Sequence, residues 1–342
     1  MSETLRWGIL GTGNIARQFC ADMRLSHRGR LAAVGSRAIE TAREFAAAYG
    51  IPVAVDSYAQ LVERDDVDAV YISLPNSMHH HWTLAALRAG KHVLCEKPLA
   101  GTVAEAEEMF DVARQSGRLL VEAFMYRSHP QTHAVIEAVR NGMIGELKQI
   151  RTSFCFCTAH VENNIRFNCD LDGGALMDVG CYCVNFSRLF AGDEPAHLAA
   201  YGQFHSSGVD ELASGVLQFP TGLIASFTCG MKIQADNTAF LCGTEGYIEI
   251  PVPWKPPVEN ATWRLAYSAP PRMDRAVGLA PGTIPPPQAF KVSASGGLYS
   301  LEADDFAASV LDGAPPRITR EDSLGTMRTL HALRAAIKRN QH

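Results

Sequence analysis

The chain has 342 residues, 47% of them hydrophobic and 20% charged. At roughly 100–200 residues per domain, that length predicts two hydrophobic cores, and the composition excludes a disordered chain. The 31 Lys+Arg against 36 Asp+Glu leave a net charge of -5, with no broad cationic surface for a nucleic acid, and no apolar run reaches the roughly eighteen residues of a membrane span.

From Leu5 to Met125, short apolar runs alternate with amphipathic stretches. Leu5–Leu10, Leu31–Gly35, Val53–Val55, Ala69–Leu74, His92–Cys95 and Leu119–Ala123 read as strands, with helices such as Thr41–Tyr49, Ser77–Ala89 and Val103–Gln115 between them. This alternation predicts right-handed βαβ units in a doubly wound parallel sheet. The texture changes after Gly142–Gly145. Leu147–Phe156 reads as a long strand, Ser214–Phe219 and Leu223–Thr228 flank the turn Pro220–Gly222, and Ala239–Cys242 and Tyr247–Ile250 continue a mostly antiparallel sheet. The Pro-rich stretch 251–287 is expected as an extended excursion or lid, and Ser300–Leu311 and Ser323–Lys338 as closing helices that return to the first domain. The expected organisation is therefore an α/β Rossmann domain over 1–125 and an α+β domain with a large open sheet over 126–342.

The N-terminus lacks the basic start, apolar stretch and cleavage site of a signal peptide, so the cytoplasm is the expected compartment. Nine cysteines have only the C-x-C pairs Cys155/Cys157 and Cys181/Cys183 close in sequence, and they read as buried reduced thiols. The run His79-His80-His81 places adjacent helical side chains in different directions, so no metal is expected there.

The first strand runs into Gly11-Thr12-Gly13-Asn14-Ile15-Ala16 and then a helix. Gly11 allows a tight turn, Gly13 lets the backbone approach a pyrophosphate, and Ala16 lets helix and strand pack closely, which predicts a dinucleotide site. At the end of the second strand, where an NAD site carries an acid for the ribose 2′-hydroxyl, stand Gly35-Ser36-Arg37. A hydroxyl beside a guanidinium suits a 2′-phosphate, so NADP is expected in preference to NAD.

Two further segments, Cys95-Glu96-Lys97-Pro98 and Gly173-Gly174-Ala175-Leu176-Met177-Asp178-Val179-Gly180-Cys181-Tyr182, join this turn in a pattern that resembles the Gfo/Idh/MocA family of nicotinamide-dependent oxidoreductases. The resemblance extends to Ser36-Arg37, Pro75–His79 and Glu122–Arg127, and within the family it points to the branch of glucose-fructose oxidoreductase, dimeric dihydrodiol dehydrogenase and NADP-dependent D-xylose dehydrogenase. It implies a catalytic Lys97, with Glu96 beside the cofactor, and it implies that Leu74, Pro75, Asn76 and His79 line the nicotinamide and its ribose. It also implies a homodimer or homotetramer formed through the second sheet.

Independently, Lys97 ends a parallel strand, where an ammonium polarises a substrate oxygen. Asp178 and Tyr182 have the i,i+4 spacing of one helical face, and Tyr182 needs a nearby cation such as Lys97 to act as a base near neutral pH. Arg127, His160 and Arg166 are further candidates for sugar contact. Asp172 stands where the family often has a third glycine.

The expected activity is hydride transfer between NADP and a carbinol carbon of a sugar or polyol, C1 of an aldopyranose foremost, with Tyr182 moving the hydroxyl proton, coupled to Lys97 and oriented by Asp178. The alternatives are a trans-1,2-dihydrodiol dehydrogenase and a non-catalytic NADP(H)-sensing regulator.

Overall fold

Six short runs rich in Val, Ile, Leu and Ala form the first sheet of the computed structural model, which describes residues 4–267 and 285–340. They are β1 (Leu5–Leu10), β2 (Gly29–Gly35), β3 (Val53–Val55), β4 (Ala69–Ile72), β5 (His92–Glu96) and β6 (Leu120–Ala123). All neighbours are parallel, in the order β3-β2-β1-β4-β5-β6. The order reverses between β1 and β4, which opens a crevice at their carboxyl ends. Helices cover both faces, so β4 and β6 are buried along their whole length, and β4 reads as a continuous apolar run.

The intervening helices are α1 (Asn14–Asp22), α2 (Ile39–Tyr49), α3 (Tyr58–Val62), α4 (His79–Arg88) and α5 (Val103–Ser116). A capping box between Thr102 and Glu105 starts α5, and left-handed Gly117 (φ 64°) ends it. The predicted helix Ser77–Ala89 divides into a 3₁₀ turn at Asn76–Met78 and then α4.

After α6 (Pro130–Arg140) the chain enters the second sheet with β7 (Leu147–Cys155). The helix α7 (Cys181–Ala191) intervenes before β8 (His197–Phe204), β9 (Asp210–Gln218), β10 (Ile224–Gly230), β11 (Ala239–Gly243), β12 (Tyr247–Ile250), β13 (Ala261–Ala266) and β14 (Gln288–Val292). Their order is β14-β13-β12-β11-β7-β10-β9-β8, antiparallel except for the β7/β10 pair. The helix α7 packs on one face, against β7 and β10. On the other face, Tyr201 is 68%, Val216 43% and Ile224 41% exposed.

Part of the predicted Pro-rich excursion is ordered sheet instead. β13 falls inside 251–287 and pairs with β12, Leu265 opposite Ile248, and with β14, Trp263 opposite Phe290, while residues 268–284 lie outside the described residues.

The last helices, α8 (Leu298–Asp312) and α9 (Arg320–Arg339), cross back. α8 seats Phe306 against Trp7, with ring centroids 5.1 Å apart, and its Asp304 accepts from the Ser26 hydroxyl at 2.5 Å and the amides of His27 and Arg28. α9 packs against α5, α7 and β8. All nine cysteines are free thiols, and six of them are buried. No helix among the described residues is long and apolar enough to cross a membrane.

Candidate active site

A cleft of about 690 Å³ runs from the β1–α1 turn to the inner face of the second sheet. Its first wall is the Gly11–Ile15 turn. Gly11 has φ 100°, a conformation open to glycine, and a methyl group added there would press on Leu74 and Ser73. A methyl group at Gly13 would meet no atom within 4 Å, so this backbone opens directly on the cleft. Gly13 caps α1 without any side-chain bond, and the first turn holds no acid. The first amides of α1 have no helical partner of their own, and the helix dipole favours an anion there. The turn therefore fits a nucleotide phosphate. The Gly11 amide donates to the Gly35 carbonyl, which brings Ser36 and exposed Arg37 to the same sheet edge.

The second wall is the turn after β5. The Lys97 ammonium donates to the Asp178 carbonyl at 2.7 Å and to its Oδ1 at 3.1 Å, and Asp178 Oδ2 accepts from Arg166 Nε at 2.6 Å. Burial opposes charge on Lys97, but Asp178, Cys181 and Glu96 outweigh it and raise the pKa, which keeps the ammonium. Burial likewise opposes charge on Asp178, but Lys97 and Arg166 pull its pKa below the usual carboxylate range. Glu96 accepts from the Tyr71 hydroxyl at 2.5 Å, and burial raises its pKa against the pull of Lys97.

Tyr182 also faces the cleft, packed edge-on against Phe124 and Phe154. Its hydroxyl lies 3.3 Å from Met125 Sδ, a weak acceptor, and the Lys97 ammonium stands 5.2 Å from its ring centroid. Burial first, then the carboxylate of Glu96, drives the phenol well above its ordinary value.

The predicted orientation of Tyr182 by Asp178 on one helical face does not form. Leu176–Gly180 makes a π turn before α7, so the i,i+4 register fails, and Asp178 turns to Lys97 and Arg166. This turn is set up by Asp172 in the left-handed region (φ 55°), which an aspartate tolerates in place of glycine, and by buried Asp210, which accepts from the Leu176 amide at 2.6 Å. Asp172 also accepts from Asn76 Nδ2 at 2.8 Å through its carbonyl, which ties the turn after β4 to the second domain.

Three of the sequence-predicted residues stand away from the cleft. Arg127 is spent on Asp322 and Asn185, at 2.8 and 3.1 Å, and its other guanidinium nitrogen donates to the Arg317 carbonyl. His160 lies on an exposed loop outside the cleft lining. His79 is fully buried behind the wall, its Nδ1 2.9 Å from the Pro98 carbonyl and its Nε2 2.9 Å from the Leu74 carbonyl. It braces the two turns, where it was expected to touch the nucleotide. Leu74, Asn76, Glu96 and Arg166 do line the cleft, and Pro75 precedes the 3₁₀ turn that carries Asn76.

Two cleft features escaped the sequence reading. Lys255 reaches the cleft from the Pro-rich segment and donates to Gln18 Oε1 at 3.1 Å. Phe154 and Phe156 form an apolar wall, and the alternation of the predicted strand Leu147–Phe156 could have found them, since every second residue faces inward.

Comparison with known proteins places this architecture. The model described as an oxidoreductase family with an NAD-binding Rossmann fold matches residues 5–124, and the GFO/IDH/MocA C-terminal domain matches 132–249. A trans-1,2-dihydrobenzene-1,2-diol dehydrogenase from Mus musculus is 38% identical over 255 residues, 74% of this chain and 76% of its own length. D-xylose 1-dehydrogenase (NADP(+)) 2 from Haloferax volcanii is 34% identical over 329 residues, 96% of each chain. A 3-ketoreductase from Actinomadura kijaniata, solved with NADP and TDP-benzene, superposes with a TM-score of 0.84 at 31% identity over 98% of each chain. The chain belongs to the GFO/IDH/MocA family of NAD(P)-dependent oxidoreductases.

Proposed function

We propose that the protein is an NADP-dependent oxidoreductase that interconverts a carbinol and a carbonyl on a sugar, with C1 of an aldopyranose as the reacting carbon and the lactone as oxidised product. The observation that carries this reading is the convergence of Lys97, Asp178, Arg166 and Tyr182 on a cleft that also holds a phosphate-binding turn. NADP supplies the hydride acceptor or donor when bound, and Ser36 and Arg37 hold its 2′-phosphate. Of the relatives above, the xylose dehydrogenase and the ketoreductase both carry NADP in their names or complexes, which supports this choice.

Lys97, kept charged by Asp178, faces the substrate oxygen and stabilises negative charge that develops on it. The neutral Tyr182 phenol donates a proton to that oxygen during reduction, and accepts one during oxidation when the Lys97 charge offsets the cost of the phenolate. Asp178 thus acts on Tyr182 only through Lys97. The anomeric hydroxyl is the most acidic that a sugar offers, so oxidation at C1 asks least of this pair. Oxidation should accelerate only in alkaline solution, since Lys97 and Tyr182 both hold their protons above their ordinary values.

A second reading, dihydrodiol oxidation, draws on the Phe154–Phe156 wall, which suits an apolar ring, and on the mouse relative. The sensing-regulator alternative is set aside by membership of an enzyme family. Nine unpaired thiols suit a reducing cytoplasm. The exposed apolar face of the second sheet is the surface proposed for homo-oligomer formation.

A test uses NADP with aldoses deuterated at C1, beside a panel of dihydrodiols. Label carried into NADPH supports the aldose reading. Label retained in the sugar, or turnover confined to dihydrodiols, overturns it.

A further inference from the structure

The charges around the cleft do not balance. Lys97, Arg166 and Lys255 line it, against the carboxyl groups of Asp178 and Glu96. Asp178 is shared between Lys97 and Arg166, and Glu96 is drawn towards its neutral form by burial while it accepts from Tyr71. One firm negative charge thus faces three positive ones.

The surplus lies on the wall of the second domain. Arg166 commits only Nε to Asp178 among its described bonds, and its guanidinium lies 5.8 Å from the Phe156 ring centroid. Its remaining N–H donors have no partner among the described residues, and their fork geometry suits a carboxylate or phosphate. Lys255, exposed at the rim, has a single described hydrogen bond, to a neutral amide oxygen of Gln18. Loss of water around its ammonium, and then the charges of Lys97 and Arg166, work against its protonation even though Glu96 and Asp178 favour it. An anion brought between Arg166 and Lys255 relieves this repulsion, and it gains two charge-assisted partners in a site partly withdrawn from water.

We propose that Arg166 and Lys255 form an oxyanion subsite, and that the preferred sugar carries a carboxylate or phosphate group away from its reacting carbon. This inference rests on the oxidoreductase reading above and narrows its substrate class to acidic sugars. The same chemistry also exists in the pyrophosphate of the nucleotide, since Gln18 lies on α1 beside the Gly13–Ile15 turn, so the test must separate the two sources.

The experiment compares kcat/KM with NADP for glucose, glucuronate, glucose 6-phosphate, galactose and galacturonate at fixed ionic strength, in the wild type and in Lys255→Met and Lys255→Arg. Lys255 is exposed at the rim, so these variants test the charge without disturbing a core. NADPH binding is followed in parallel by its fluorescence. The expected result is at least a ~10-fold preference for an acidic sugar over its neutral parent, the scale of one charge-assisted hydrogen bond. That preference should fall with added salt, collapse in Lys255→Met and return in Lys255→Arg, while NADPH affinity stays within about twofold. Equal or better use of the neutral parent overturns the subsite and leaves the oxidoreductase reading standing. A loss of NADPH affinity in Lys255→Met with the sugar preference intact assigns the lysine to the nucleotide, and also overturns it. Failure of every aldose, acidic or neutral, removes the aldose reading and the subsite together.

Discussion

Lys97 and Tyr182 differ in how their charge states are held, and this sets what each substitution does. Lys97 keeps its proton because Asp178 lies 3.1 Å away, whereas Tyr182 keeps its proton because it is buried against aromatic rings. Lys97→Met and Tyr182→Phe should each lower kcat by at least ~10²-fold, the scale of a general acid–base contribution, with nucleotide affinity retained. Steady-state rates beside nucleotide titration check this, and near-normal turnover in Tyr182→Phe would leave that residue a packing role. At the other end of the cleft, Arg37→Ala should weaken NADP by about 1–3 kcal/mol and leave NAD little changed, as binding isotherms for both nucleotides will show. Equal losses for the two would mean that Arg37 supports the fold. Lys97, Asp178 and Tyr182 were legible because each lies in a short motif whose backbone carries it to the cleft. Arg127 misled because its partner Asp322 is 195 positions further along the chain, beyond any local pattern. Lys255 gave no signal, since a lysine among prolines reads as solvent-facing until β12 and β13 bring its loop over α1.

At the level of elements, the turn after β5 is braced from behind. His79 holds the Pro98 carbonyl, and Glu122 of β6 accepts from the Leu99 amide at 2.9 Å. The second carboxyl oxygen of Glu122 is buried without a hydrogen-bond partner among the described residues, and burial raises its pKa from 4.5 to about 8. Between those values the folded protein holds a proton that the unfolded chain has released. Stability from this group is therefore full at low pH and is lost as pH rises through that window, by up to about 1.4 kcal/mol per pH unit. Glu122→Gln keeps the acceptor for Leu99 and removes the titration. Its melting temperature should vary less than that of the wild type between pH 5 and 8, and parallel profiles would refute the assignment. Asp210, raised by burial to about 6, acts in the same direction, whereas His92 and His129, lowered by burial to about 4, oppose it at the acid end, so the comparison must be made between the two proteins. The parallel strands were readable because each carries a short apolar run, such as Ile9–Leu10, Ala32–Val34, Ala69–Ile72 and Val93–Leu94, between helical stretches. Strand β8 was not, because apolar Ala199 and Tyr201 stand on its exposed face and Gly202 on its inner one, which hides the alternation in the sequence, and β13 was obscured by its proline-rich flanks.

At the scale of the molecule, the open face of the second sheet carries Tyr201, Val216 and Ile224 in water, with Arg151 stacked on Phe240 nearby. Register places Ser226 of β10 beside Val216 of β9 and Arg151 of β7, so these residues share one broad surface. The wild type should run as a dimer or larger in light scattering, and Tyr201→Glu with Val216→Glu should shift it to a smaller species that still binds nucleotide. An unchanged mass in the double variant would move the interface elsewhere.

The return of α8 to the first sheet bears on how the protein is made. A ribosome delivers β1 and α1 early, but the helix whose Phe306 covers Trp7 and whose Tyr299 meets Phe19 follows only after the whole second sheet. During that interval the nascent nucleotide domain shows an uncovered aromatic flank to its surroundings. The packing of the nucleotide domain is thus completed only late in synthesis, and until then that flank is a surface on which a growing chain can aggregate.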